Sequence, residues 1–204
     1  MIKALILRRL WLLRHRLTST LPLIIILPIF FHLYLSAVVK NIYTYSPNGV
    51  PIESWLFPGI IFSFGSLSML TIIYRDLFSL QINSEFLKLL AISPNSKFKI
   101  ISSILLSSLV ECLIYGFISM LILTFLLPNP FSFLSYFSII CFLVIYLSLM
   151  CNLIISLSLL IRRVFIFLFS SIIIVQLFFV SSNILIEYQI YSDVLNVIFF
   201  NNPF

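Results

Sequence analysis

Long apolar runs dominate the chain, and they constrain its fold more than any other feature of the sequence. Runs such as residues 101–127 and 132–161 exceed the roughly 20 apolar residues that an α-helix needs to cross a membrane. Only 9% of the residues are charged, and the mean hydropathy is +1.21. A soluble domain needs more charge than this, and an outer-membrane barrel would alternate apolar and polar residues. The predicted fold class is all-α: a polytopic membrane helical bundle that forms one domain over residues 1–204.

Five membrane spans can be read from these runs. They cover approximately residues 21–39, 56–74, 101–127, 132–161 and 164–186. Pro128 and Pro130, in the stretch LLPNPF, separate the third span from the fourth, because proline cannot continue the interior of a helix. The sequence therefore predicts a tight turn between these two spans.

The positive charges predict how the spans are oriented. With the N-terminus in the cytoplasm, eleven of the twelve Lys and Arg residues fall on the cytoplasmic side and Lys40 alone falls outside. Cytoplasmic segments of membrane proteins carry such an excess. We therefore predict a multi-pass protein of an inner or plasma membrane, or of an equivalent organelle membrane, with its N-terminus in the cytoplasm. The net charge of +6 reflects this orientation and gives no support for nucleic-acid binding.

Residues 1–20 have the pattern of an amphipathic helix. Its apolar face holds residues at steps of three or four, namely Ile2, Ile6, Leu10, Leu13 and Leu17. Its opposite face is basic and holds Arg8, Arg9, His15 and Arg16. Such a helix typically lies in the cytoplasmic headgroup layer, and the alternative is a basic topology signal with no further role. The residues predicted at the cytoplasmic interface are Arg8, Arg9, Arg16, Arg75 and Asp76.

A polar segment, residues 75–100, interrupts the apolar runs after the second span. Arg75 and Asp76 close that span, and a short helix over residues 84–91 ends by Pro94, because the residue before a proline is pushed out of the α region. An isolated helix this short is marginal in water. It must lie on the membrane, pack on its own bundle or dock into a partner. We predict that residues 75–100 form a cytoplasmic loop.

Glu111 is the one acidic residue deep in a predicted span. Insertion scales assign a cost of roughly 3 kcal/mol to an acidic side chain at the centre of a membrane helix. We therefore expect Glu111 to be protonated, paired or facing water. The functional interpretation places it in a transport path or a dimer seam. The alternative is a neutral carboxyl bonded to Ser107 or Ser108.

The sequence predicts neither a metal site nor an enzyme active site. His15 and His32 are isolated from other metal-binding residue types. No His/Asp/Glu or Ser/His cluster can be assembled within the predicted spans. The chain also contains no G-x-x-x-x-G-K-[ST] loop to hold nucleotide phosphates. We therefore predict that the chain has no ATPase activity of its own.

Taken in order, the stretches WLFPGIIFS and YRDLFSLQINSEFLKLLAISPNSKFKI resemble the ABC-2 family of membrane permeases. In that family a Phe-Pro-Gly or similar opening of the second span is followed by a charged cytoplasmic turn, a Leu-rich short helix and a Ser-Pro turn. The residues that carry the likeness are Phe57, Pro58, Gly59, Arg75, Asp76, Glu85, Leu89, Leu90, Ser93 and Pro94. The N-terminal amphipathic helix, the topology and the closing NNPF are also similar. The family usually has six spans and five are visible here, so the sequence is either a fragment or a five-span protein.

The resemblance implies the membrane-spanning permease subunit of an ATP-binding cassette exporter. The chain itself would need no cofactor, because a separate ABC-type ATPase subunit would bind the ATP. Further implied partners are a second permease copy, identical or related, and the lipid bilayer. The residues implied to contact the ATPase are Glu85, Phe86, Lys88, Leu89, Leu90, Ser93 and Pro94. The substrate would be a lipid, a glycan, a drug or a similar molecule. A secondary transporter or a non-transporting membrane assembly subunit is the alternative.

Overall fold

The computed structural model describes residues 2–41, 49–79, 96–161 and 163–181. The described chain forms a helical bundle, which confirms the predicted fold class. Five α-helices follow one another: α1 (Ile2–Lys40), α2 (Ile52–Ile73), α3 (Lys97–Thr124), α4 (Phe133–Leu160) and α5 (Val164–Ser181). A six-residue π-helix, Tyr74–Ser79, continues α2 without a break.

Four of the described helices are long and apolar enough to cross a membrane. Their spanning parts are Pro22–Lys40 within α1, Ile52–Leu77, Lys97–Thr124 and Phe133–Leu160. The fifth predicted span, residues 164–186, begins with α5, whose described apolar part, Val164–Leu177, is shorter. The end of that span lies outside the described residues. The chain is therefore a membrane protein by the length and composition of its helices, and its fifth span stays a prediction.

α1 is a single continuous helix of 39 residues. At about 1.5 Å per residue it is nearly 60 Å long, which is about twice the thickness of the hydrocarbon core. The predicted interfacial helix, residues 1–20, and the predicted first span therefore form one element. Pro22 and Pro28 lie inside it, as prolines do in membrane helices whose freed carbonyls find other partners.

The predicted assignment of the two faces of residues 1–20 is wrong in part. Arg9, predicted on the polar face, is a buried residue with 7% exposure, and Leu13, predicted on the apolar face, packs beside the core four residues later. Leu10, predicted on the apolar face, lines the seam between α1 and α3 together with Ile6 and Leu13 and is 43% exposed. The physical reason is that this segment has leucines on nearly every side, so its pattern alone does not identify the inward face.

α2 is the central helix and packs against α1, α3, α4 and α5. Its side chains are apolar on all sides, which is typical of a helix surrounded by protein. Those that are almost fully buried include Leu56, Phe57, Ile60, Ile61, Met69, Ile72 and Ile73. The bounds of the cytoplasmic loop predicted over residues 75–100 are wrong at both ends, because residues 75–79 belong to the π-helix and residues 97–100 to α3; residues 80–95 lie outside the described residues.

Two glycines let α2 and α3 approach α4 closely. A Cβ atom added at Gly65 in α2 would lie 3.1 Å from Leu147 Cδ2, and one added at Gly116 in α3 would lie 3.0 Å from Leu143 Cδ2. Both leucines are buried in α4. Small residues allow membrane helices to approach closely, and a Cβ atom at either glycine would require the facing leucine to shift by a few tenths of an ångström.

The turn between α3 and α4 agrees with the prediction from the sequence. Residues 125–132 leave the helical conformation between α3 and α4, which confirms the turn at Pro128 and Pro130. Serine side chains cap the next helix in each case, Ser96 at α3 and Ser132 at α4. Lys40 at the end of α1 pairs with Glu53 at the start of α2. This pair lies at the opposite end of α2 from Arg75.

Candidate functional site

Glu111 is the centre of a buried polar network. It lies fourteen residues after Lys97 and thirteen before Thr124, so it is near the middle of α3. Its side chain is only 4% exposed. Glu111 Oε2 accepts hydrogen bonds from Arg9 Nη1 and from Arg75 Nη2, both at 3.0 Å. Glu111 is therefore paired, which is one of the three states expected for an acidic residue in a span.

The second oxygen of this carboxylate is also occupied. Tyr115, one turn further along α3, donates its hydroxyl to Glu111 Oε1 at 3.0 Å, and Arg75 Nη1 lies 3.3 Å from the same oxygen. The alternative partners, Ser107 and Ser108, donate instead to the backbone oxygen of Ile104. The carboxylate therefore has both oxygens bonded, as a buried charge requires.

Arg9 reaches the network from the first turns of α1. One nitrogen, Nη1, binds Glu111, while Nη2 pairs with Asp76 and donates to Ser108 Oγ at 2.9 Å. Ile6 and Leu13 lie on the same side of α1 and line its seam with α3 together with Val110. The guanidinium is thus enclosed by apolar side chains and bonded by three partners. Arginine suits this role because its planar guanidinium group can donate hydrogen bonds to several oxygens at once.

Arg75 and Asp76 complete the network from the π-helical end of α2. Arg75 Nε donates to Asp76 Oδ1 at 2.7 Å, and its two terminal nitrogens bind Glu111. The side chains of Arg75 and Asp76 are 30% and 21% exposed, whereas those of Arg9 and Glu111 are only 8% and 4% exposed. The network therefore has an inner part formed by Arg9 and Glu111 and an outer edge that reaches the surface of the bundle. π-helical segments often occur at functional sites.

The network contains two positive and two negative side chains, so its formal charge is zero. Charges buried at this depth are costly unless each one is paired and hydrogen-bonded. Removal of one member leaves a buried charge without compensation, whereas removal of a matched pair does not. The arrangement therefore joins three separate elements, α1, the π-helix after α2 and α3, through charges that compensate one another.

Several residues named from the sequence lie elsewhere or outside the described chain. The implied ATPase contact, formed by Glu85, Phe86, Lys88, Leu89, Leu90, Ser93 and Pro94, falls entirely outside the described residues. Arg16 belongs to α1, but its side chain is outside the description as well. Arg8 is exposed on α1. Of the five residues predicted at the cytoplasmic interface, the structure brings Arg9, Arg75 and Asp76 together around Glu111.

Sequence reasoning missed the partnership between these residues. It identified Glu111 as a buried acid and Arg75 and Asp76 as the end of a span, but it assigned no cation to Glu111. Tyr115 was not singled out at all. One signal was available: an ionised acid inside a span needs a cation, and Tyr115 lies one turn away on the same helix face. Arg9 could not be found this way, because it is 102 residues distant in sequence.

Comparisons with known proteins add no assignment. No protein-family model matches the chain, and no curated protein and no solved structure matches it at a significant level.

Proposed function

We propose that the chain is the membrane-spanning permease subunit of an ATP-binding cassette exporter. In this proposal it pairs with a second permease copy and with a separate ATPase subunit that binds and hydrolyses ATP. Three features support the proposal: the resemblance of residues 55–100 to the ABC-2 family, the absence of a nucleotide-binding loop in the sequence, and the apolar helical bundle. The substrate class is a lipid, a glycan, a drug or a similar molecule.

The observation that carries the proposal is the position of the buried network relative to the predicted loop. Arg75 and Asp76 lie in the π-helix that leads into residues 80–95, and Glu111 lies on α3, the helix that follows those residues. Arg9 links both to α1. A force applied to the loop would therefore reach these ion pairs first and act on three helices together. Packed elements with discrete contacts transmit such displacements as rigid units.

Site-specific crosslinking tests the proposal directly. A photo-crosslinking amino acid at Leu89 or Leu90, in native membranes, should capture a second polypeptide that hydrolyses ATP. The matched control is Asn129, which lies in the turn between α3 and α4 at the other end of the bundle and should capture none. Capture of lipid and of the chain itself, but never of an ATPase, at both loop positions would overturn the proposal.

One observation favours a second candidate, a secondary transporter. Charged side chains within membrane spans are typical of such proteins, and three members of the network, Arg75, Asp76 and Glu111, lie within the candidate spans. Reconstituted vesicles distinguish the two functions. Transport that needs ATP and a copurified ATPase supports the exporter, whereas transport that follows an ion gradient without ATP supports the secondary transporter. A chain that assembles with partners but moves no substrate would be an assembly subunit.

A further inference from the structure

A cleft of about 230 Å³ opens on the side of the bundle between α1, α2 and α5. Its walls are mainly apolar and aromatic, and they include Phe31 and Leu35 from α1, Ile60 and Phe64 from α2, and Val175 from α5. An apolar cavity of about 150 Å³ in a soluble protein is large enough to bind benzene. This cleft is therefore large enough for a small ring or for part of a hydrocarbon chain.

The cleft lies at the middle of the membrane-spanning depth. Its α2 residues run from Ile60 to Leu67 within the spanning segment Ile52–Leu77. They are separated from the two ends of that segment by roughly 12 and 15 Å of helix. At this depth the surrounding solvent is hydrocarbon, which is about 30 Å thick in total. A molecule that enters the cleft must therefore be one that dissolves in the bilayer.

The lining of the cleft also includes polar side chains. Gln176 lines the cleft and is exposed on α5. Asn152, an exposed amide on α4, donates to the backbone oxygen of Ser148 at 2.9 Å, but the described residues provide no such bond for the Gln176 amide. The hydroxyl of Ser63 is already used, because it donates to the Gly59 oxygen at 2.8 Å. An amide facing hydrocarbon needs a hydrogen-bond partner.

We propose that this cleft binds a lipophilic molecule that carries a carbonyl group, with the Gln176 amide as the hydrogen-bond donor. Tyr34, which also lines the cleft, supplies a second donor of the right kind. A quinone ring with an alkyl tail has this chemistry: an apolar ring for the aromatic walls and carbonyl oxygens for the two donors. The ester groups of a phospholipid lie near the membrane surface, so its chain would leave Gln176 without a partner. This inference is independent of the proposed exporter function.

Equilibrium binding of decylubiquinone to the purified chain in detergent micelles tests the proposal, with decylbenzene as the probe that lacks carbonyl groups. Leu67→Trp fills the cleft from α2 and should abolish decylubiquinone binding. Gln176→Leu keeps the size of the side chain and removes the donor. It should weaken decylubiquinone binding roughly fivefold to tenfold, the loss expected for one hydrogen bond, and leave decylbenzene binding unchanged.

Leu121→Trp is the matched control, because Leu121 is exposed on α3 and does not line the cleft. It should bind decylubiquinone as the parent chain does, and its melting temperature shows whether an added tryptophan is tolerated. Equal binding of decylubiquinone by the parent chain and by Leu67→Trp would overturn the site. Equal binding by the parent chain and by Gln176→Leu would overturn the choice of a carbonyl compound.

Discussion

Arg9 and Glu111 form an ion pair with 3.0 Å between Arg9 Nη1 and Glu111 Oε2, although 102 residues separate them in sequence. Both side chains are more than nine-tenths buried. This pair holds the first turns of α1 against the middle of α3, and Arg75 and Asp76 extend it to the end of α2. These ion pairs therefore link the N-terminal helix α1 to α3 and to the π-helix that leads into the predicted cytoplasmic loop.

Glu111→Gln should destabilise the chain strongly. The substitution keeps the shape of the side chain but leaves two arginines opposite a single acid, and breaking a buried ion pair costs about 3–5 kcal/mol. Thermal unfolding in detergent micelles measures the effect, and a substrate-export assay measures its consequence for function. Glu53→Gln is the control, because the pair of Glu53 with the half-exposed Lys40 should contribute less than about 1 kcal/mol. Equal losses in the two variants would contradict the special role of Glu111.

Removal of both members of the inner pair should be milder than removal of one. Arg9→Met alone leaves two acids with one arginine. Glu111→Leu alone leaves two arginines with one acid. The double variant keeps Arg75 with Asp76, so the remaining network is neutral. A double-mutant cycle on unfolding free energies should give a favourable coupling of at least about 3 kcal/mol, because the loss in the double variant is smaller than either single loss. Simple additivity of the two single losses would show that Arg9 and Glu111 do not act as a pair.

The hydroxyl of Tyr115 should contribute measurably to stability. Tyr115→Phe removes the donor to Glu111 Oε1 and leaves that oxygen with the longer bond from Arg75 alone, at an expected cost of about 1–3 kcal/mol. Tyr136→Phe is a matched control within the same bundle. Its hydroxyl is buried without a partner in the described part of the chain, so its removal should be neutral or slightly stabilising. Melting temperatures of the two variants give the comparison.

Gly116→Ala should crowd Leu143 at the contact between α3 and α4. The new Cβ would lie 3.0 Å from Leu143 Cδ2, so the end of that buried leucine must shift. Overpacking of this kind costs about 1–3 kcal/mol, against a gain of about 0.5–1 kcal/mol from the better helix propensity of alanine. Leu143→Val removes bulk at the point of conflict and should recover part of the loss in the double variant. The same valine substitution in the parent chain should only destabilise. Absence of rescue would mean that the glycine is needed for another reason.

Local patterns of sequence predicted the helical bundle, the turn at Pro128 and Pro130 and the burial of Glu111, and the structure confirms all three. Each depends only on nearby residues, because span length and proline chemistry are local properties. The assignment of Arg9 to the polar face of α1 was wrong. Leucine and arginine alternate there so closely that several faces have similar polarity, and only the partner helix decides which one is buried.

The sequence by itself determined that this chain is a helical membrane protein, because continuous apolar runs with so few charges cannot form a stable soluble surface. Only the tertiary structure decided which charged side chains form ion pairs with one another. An ion pair inside a bundle depends on the rotation and depth of helices that lie far apart in sequence, and no local pattern specifies either quantity. The joining of Arg9 and Arg75 to Glu111, and the opening of a cleft beside Gln176, are therefore properties of the packed bundle.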